Sequence, residues 1–408
     1  MPKITRRNFL LFSGVSSTSL FTHALGRRKA PFKPRGISAS QAKCDPWIEL
    51  KLDHMTWNLN RLRKLVKVPV MAVIKANAYG HGLVETGRHL EKAGVDHLMV
   101  GKLQEAFLLR KSGISAPILN FGPFTRGDAE KIIRSNISQS VFQENVSALS
   151  QAGLKSGKKA RVHIHVDTGM GRMGISFRDA FPYIKSVAAL KGIVIEGIST
   201  ALTEDDDFDR EQLNRFLSLC QKAERSGISS GLKHAASSDG ALDLPMSHLD
   251  MVRPGIALYG YYPSEKTQKE DRLGLKPVLQ LKGRVVDVKT LRSGDSVSYH
   301  RKYMARKKEK IAIIPVGYSD GYPHNIIGKA FVLIKGKRLP LIAAITANHA
   351  AALLEKNSTV SPGDEVVLIG SQGKEKITAD EVASWAEVSA YKILIGLNPL
   401  LPRKISSG

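Results

Sequence analysis

Between about residues 65 and 260, short apolar runs alternate with amphipathic stretches, and this rhythm limits the possible folds more than any other feature of the chain. The runs are VMAVIK (70–75), HLMVG (97–101), PILNFG (117–122), RVHIHVD (161–167), VIEGIST (194–200), LKHAAS (232–237) and IALYG (256–260). Helical patterns lie between them, such as LQEAFLLRKSG (103–113) and FDREQLNRFLSLCQKAERSG (208–227). Each of these two ends on a glycine, Gly113 and Gly227, as helix stops do. Strand–helix units of about 20 to 35 residues mean a parallel sheet. Over roughly 200 residues they predict an α/β fold of the (β/α)8 TIM-barrel type, with a doubly wound sheet as the alternative.

After about residue 275 the rhythm changes. KPVLQLKGRVVDVKTL, KIAIIPVG, KAFVLIKGKRLPLIAAIT and GDEVVLIG read as strands joined by glycine turns. One helix, TADEVASWAEVSAYKILIGL, is predicted near the end, with Thr378 as its N-cap. The chain thus divides into a leader and linker (1–44), a barrel (45–275) and a mainly β domain (276–408). Its 408 residues are enough for both folded units.

The net charge is +24, and the first 40 residues carry eight basic side chains and no acid; without them the charge is +16. Such a balance favours anionic surroundings. The charges are scattered without interleaved aromatics, so no nucleic-acid partner is expected. No run after residue 40 is apolar for long enough to cross a bilayer as a helix. Two cysteines, Cys44 and Cys220, are no disulfide framework. The start is more telling. Arg6 and Arg7 precede Phe9 and Leu10, a weakly apolar stretch follows, and Thr22-His23-Ala24 offers a small-residue cleavage site. This resembles a twin-arginine export signal and predicts a periplasmic protein; a basic cytoplasmic tail is the alternative. That route carries folded proteins, often cofactor-loaded ones.

The lysine closing the first barrel run carries the chemistry. Lys75 ends an apolar strand and meets the turn ANAYGHG (76–82) at once. In a barrel that is the C-terminal face, where active sites lie. A lysine there is partly desolvated, so its pKa falls and its amine can condense with a carbonyl cofactor, pyridoxal phosphate above all. The residues alone leave open a lysine that merely snorkels to the rim.

The surrounding motifs resemble those of the alanine racemase family over about residues 45 to 405. They are AVIKANAYGHG, HVDTGMGRMG (165–174), MVRPGIALYG (251–260), SGDSVSYHRKY (293–303) and IPVGYSDGYP (314–323), with VASWAEVSAYKILIGLNPLLPR at the end. The resemblance implies a pyridoxal 5'-phosphate enzyme that interconverts L- and D-amino acids, a barrel plus β-domain, and a homodimer with shared active sites. It assigns Lys75 as the cofactor attachment point and one acid/base group, and Tyr299, reaching in from the second subunit, as the other. Arg253 would face the pyridine nitrogen. Arg172 would meet the cofactor's phenolic oxygen and the substrate carboxylate. Tyr79 and Ser238, with amides near Gly255 and Ile256, would hold the phosphate. No metal is assigned. By themselves Tyr299 reads as a packed strand aromatic, Arg253 as an ion-pair residue, Arg172 as part of a turn, and Ser238 as a helix N-cap.

Four positions depart from the family pattern. Ala201 stands where a histidine commonly stacks on the cofactor, and His165 where many relatives carry a modified lysine. Thr346, Ala347 and Asn348 replace a Cys-Met-Asp stretch, and Pro399 replaces a phosphate tyrosine. Ala347 would widen the substrate pocket. One expectation is therefore an exported racemase of broad specificity. The alternatives are a cofactor-binding homologue with weak activity, or an amino-acid decarboxylase on the same fold. Those decarboxylases use a cysteine in the β-domain, where this chain has none.

Overall fold

The computed structural model describes residues 45–406; the export-like segment and Cys44 lie outside them. The first strand, β1 (Trp47–Leu50), leads into helix α1 (Leu52–Val66). Leu52, Met55, Leu59, Leu62 and Val66 recur at helical spacing and are buried, so α1 packs one apolar stripe inward. On that stripe Asn58 is fully buried and satisfied: its amide donates to the carbonyls of Leu258 and Lys276, and its oxygen accepts from Lys276 N.

Seven parallel strands follow: β2 (Met71–Val73), β3 (His97–Val100), β4 (Ile118–Asn120), β5 (Ile137–Val141), β6 (Ala160–Asp167), β8 (Ile193–Ser199) and β9 (Leu232–His234), with the short β7 (Ile175–Ser176) paired to the end of β6. They pair in chain order. Residues 250–254 fill the eighth position. Asp250 N donates to Lys233 O at 3.0 Å on one side, and Met71 N to Val252 O at 2.9 Å on the other. Val73 N to Pro254 O at 3.0 Å completes the seam, so the sheet closes into a barrel.

Two sequence assignments in the barrel are corrected. IALYG is no strand. Ile256–Tyr259 form a 3-10 turn stopped by Gly260, and the strand lies just before it, in DMVRP. Pro254 and Gly255 end that strand and turn the chain across the barrel mouth. Conversely, β5 (ISQSV) went unread because Ser138, Gln139 and Ser140 break the apolar pattern. All three are buried, and Gln139 Oε1 accepts from Asn120 Nδ2 at 2.8 Å inside the barrel.

The remaining chain forms a second, mainly β unit. Its sheet runs 287–291, 309–314, 350–354, 337–342, 331–334, 365–372, 279–284, β1, 403–405, with 375–377 on the side. β1 therefore belongs to this sheet, antiparallel to 279–284 and parallel to 403–405. The single helix expected near the end is two, Ala379–Ala386 and Ala390–Gly396. Glu387 adopts φ 57° and breaks the run, and Ser389 caps the second helix. Thr378 caps the first, its Oγ1 accepting from Glu381 N at 3.1 Å.

The second of these helices docks on the barrel at Gly80, where a Cβ would stand 2.0 Å from Leu394 O and φ is +83°. Arg403 Nη2 donates to Gly80 O at 2.9 Å beside it. We expect Gly80→Ala to destabilise the protein by about 3 kcal/mol, combining backbone strain with overpacking against a carbonyl. Comparison of urea unfolding midpoints for the two proteins measures this.

Candidate active site

β2 ends at Val73, and Lys75 opens a turn of unusual hand. Ala76, Asn77, Ala78 and Tyr79 all have φ between 51° and 55°. A left-handed residue with a side chain costs roughly 1–2 kcal/mol, so four in succession need support. Asn77 N donates to Glu105 Oε1 at 3.1 Å, and Leu83 N to Asn77 Oδ1 at 2.9 Å. Glu105 Oε2 also accepts from Gly101 N at 3.1 Å, which ties the turn to the end of β3. Beneath it His81 is fully buried, its Nδ1 donating toward the carbonyls of Ala78 and Tyr79. Burial pulls the His81 pKa down to about 4, so it stays neutral.

The turn brings both Lys75 and Tyr79 to one cavity of about 400 Å³ at the C-terminal mouth of the barrel. Desolvation, with the Arg172 guanidinium in range, lowers the Lys75 pKa, and the Glu105 carboxylate opposes this. Lys75 is the only lysine lining the cavity among the described residues.

The Tyr79 hydroxyl lies against Gly255, where a Cβ would stand 2.5 Å away. Ser238 Oγ accepts from Gly255 N at 2.9 Å and Ala257 N at 3.2 Å. Ser238 is not the helix cap; that role falls to Ser237, whose Oγ accepts from Asp239 N at 3.2 Å. The result is a small polar cradle of two hydroxyls and loop amides, closed to any side chain at 255. Tyr259 stacks on Tyr79 at 4.9 Å and anchors to Val73 O at 3.0 Å.

Arg253 lines the same cavity and is buried. Its Nη2 donates to Thr200 O at 2.8 Å and Ala235 O at 3.0 Å, and its Nη1 to His234 Nδ1 at 2.8 Å. Burial lowers its pKa to about 10, which still leaves it cationic at neutral pH. Arg172 also lines the cavity and is exposed. Its loop is fixed at Asp167, whose Oδ1 accepts from Gly169 N at 2.9 Å, and at Thr168 O, which takes 2.7 Å from Arg215 Nη1. Arg215 in turn sits over Phe177 and Phe208.

Eight of the residues singled out in the sequence thus meet around one cavity: Lys75, Tyr79, Arg172, Ala201, Ser238, Arg253, Gly255 and Ile256. Tyr299 and Ala347 do not line it. Tyr299 is 71% exposed in the β-domain, on a turn where Ser298, His300 and Arg301 all have positive φ. Ala347 lies in the same domain, where its carbonyl accepts from Ser319 Oγ at 2.6 Å and Asn348 Nδ2 reaches Ser319 Oγ at 2.8 Å. His165 forms no hydrogen bond with Arg172; its Nδ1 pairs with Ser199 Oγ at 3.0 Å and its ring meets the Phe121 edge. Burial, helped by Arg253, holds its pKa near 3, so His165 cannot replace an anionic group.

Sequence reasoning missed Tyr391, Glu204, Asp239 and Glu105. Tyr391 lines the cavity and packs on Tyr79 at 5.8 Å; reading 378–397 as one helix of the second domain hid it. Pro399, the position compared with a phosphate tyrosine, is exposed outside the cavity lining. Glu204 lines the cavity in a left-handed conformation, φ 65°, and its pKa is raised by burial and by Asp209. Asp239, near Glu204, is raised to about 6 by burial and that carboxylate. Glu105 needed the fold to appear at all.

A lysine, a buried arginine and a polar cradle around one barrel mouth define a fold and site of the pyridoxal-phosphate class. The donor set fits: the amine can bond a carbonyl carbon, and the cradle excludes side chains where a phosphate needs amides and hydroxyls. Comparison narrows the class. Residues 50–263 match the family "Alanine racemase, N-terminal domain" and residues 278–405 "Alanine racemase, C-terminal domain". An alanine racemase of Symbiobacterium thermophilum is 38% identical over 363 residues, 88% of this chain and 96% of the relative. One of Clostridium perfringens is 39% identical over 364 residues, 88% and 94%. The solved alanine racemase of Clostridium difficile superimposes with a TM-score of 0.84 at 33% identity, covering 89% of this chain and 96% of that one. The chain belongs to the alanine racemase family and is a pyridoxal-phosphate-dependent racemase.

Glu105→Gln tests the electrostatics of Lys75. The carboxylate stabilises the ammonium, so its loss lowers the Lys75 pKa further. In cofactor-free protein, the pH midpoint for acylation of Lys75, read by peptide mass spectrometry, moves to lower pH.

Proposed function

We propose that this racemase acts on alanine and on larger amino acids, with Lys75 and the Tyr299 of a second copy as the two proton-transfer groups. The observation that carries this reading is the one-sided cavity: Lys75 lines it, whereas Tyr299 is 71% exposed elsewhere on the same chain. Racemisation needs a group on each face of the α-carbon, one to remove the proton and one to return it. A head-to-tail homodimer supplies the second. The bound cofactor would supply an electron sink for the α-carbanion. Lys75 would attach it, Tyr79, Ser238 and the amides around Gly255 and Ile256 would hold its phosphate, and Arg253 would face its ring nitrogen. Arg253 gives up no proton there, so it would leave that nitrogen unprotonated and the electron sink weak. Arg172 would orient the substrate carboxylate. Ala347, presented by the second copy, would leave room beyond alanine's methyl group.

Exchange of α-hydrogen for deuterium across Ala, Ser, Met, Lys and Arg tests the activity. The wild type exchanges several of them; Lys75→Ala loses exchange by at least about 10³-fold together with its visible chromophore. Ala347→Met confines exchange to the smallest substrates. No exchange with cofactor bound would reject the reading. It would favour instead a weakly active cofactor-binding homologue, for which Glu204 and Asp239 beside the phosphate cradle are the supporting observation.

We further propose export to the periplasm, supported by Arg6, Arg7 and the apolar stretch after them. A folded reporter fused to residues 1–40 should be translocated, and Arg6→Lys with Arg7→Lys should strand it in the cytoplasm.

A further inference from the structure

The barrel interior holds a line of hydrogen bonds that leads from Arg253 to the opposite end of the barrel. Arg253 Nη1 meets His234 Nδ1 at 2.8 Å, His234 Nε2 meets His163 Nδ1 at 2.8 Å, and His163 Nε2 meets Glu196 Oε2 at 3.3 Å. Both histidines are fully buried and their rings lie edge to face at 5.0 Å. Glu196 is one-quarter exposed, near the N-terminal end of the strands, where Ser138 Oγ donates to it and Arg161 Nε lies 3.5 Å away.

Chemistry dictates the direction of every proton in this line. A guanidinium only donates, so His234 Nδ1 must accept. Burial and the neighbouring Arg253 charge hold His234 neutral, so its single proton is on Nε2 and is donated to His163 Nδ1. That leaves the His163 proton on Nε2, facing a carboxylate that can only accept. Desolvation of Glu196 is outweighed by its bonds from His163 and Ser138 and by the charge of Arg161, and its pKa falls to about 2.

We propose that Glu196 is a positioning residue for racemisation, acting through His163 and His234 to hold the Arg253 guanidinium in one orientation at the cavity. Arg253 sets the direction of the line from one end, and Glu196 matches it at the other. Without that acceptor the His163 Nε2–H is left buried and unpaired, and moving its proton to Nδ1 only sets it against the His234 Nε2–H. Either way the line that holds the Arg253 guanidinium is strained from its far end. The proposal rests on Arg253 facing the cofactor ring, and a control separates the two ideas.

The test uses cofactor-loaded enzyme with Glu196→Leu, Glu196→Gln and Arg253→Gln. In Glu196→Leu, kcat falls at least about tenfold with little change in KM, as when an orienting carboxylate behind a histidine is lost. The absorbance of the bound cofactor, and its pH dependence, shift with it. Glu196→Gln, whose amide oxygen can still accept from His163, restores both. A Glu196→Leu protein with unchanged kcat and spectrum, or one that loses only thermal stability, overturns the proposal. If Arg253→Gln also leaves the spectrum unchanged, the ring-partner reading is what failed. Independently of any variant, nitrogen-15 spectra of histidine-labelled enzyme should show His163 and His234 as neutral Nε2–H tautomers. A proton on Nδ1 of either one overturns the proposal even if the leucine variant does not fold.

Discussion

The left-handed turn Ala76–Tyr79 is the constraint on which the site depends. Its left-handed path leaves Lys75 open to the cavity and brings the Tyr79 hydroxyl against Gly255. The strain is local and the compensation is not: Glu105 comes from the helix after β3, Leu394 and Arg403 from the second domain. Each part of the fold that touches the turn therefore bears on the distance between the Lys75 amine and the polar cradle at Gly255.

The barrel core differs from the apolar filling usual in such folds. Asn120, Gln139, His163, His165, Ser199 and His234 are all buried, most of them paired with one another. A polar interior is stable only when nearly every donor meets an acceptor. It also makes the barrel axis an electrostatic medium instead of an inert support. Arg253, a full positive charge with little solvent, is tolerable at its mouth because two carbonyls and an imidazole accept hydrogen bonds from it.

This polarity explains what was legible beforehand. Strands dominated by Val, Ile, Leu and Met announced themselves, and the lysine at the end of one of them marked the mouth. β5 did not, since ISQSV reads as a loop unless one knows that its serines and glutamine face a polar barrel interior. IALYG misled in the other direction: its apolar residues are buried beneath the cradle as a 3-10 turn. Residues brought in by local motifs, such as Arg172 and Arg253, were found. Tyr391 and Glu105 reach the site through packing between distant segments, and no spacing in the chain encodes that.

The order of the β-domain sheet has a bearing on the timing of biosynthesis. β1, among the first described residues, is hydrogen-bonded on one edge to 279–284 and on the other to Arg403–Ile405. The adjoining Arg403 side chain also grips Gly80. As the chain is synthesised, the barrel strands, which pair in chain order, can gather one by one, whereas the sheet and the lysine turn are locked only once residues 403–405 exist to pair with β1 and reach Gly80.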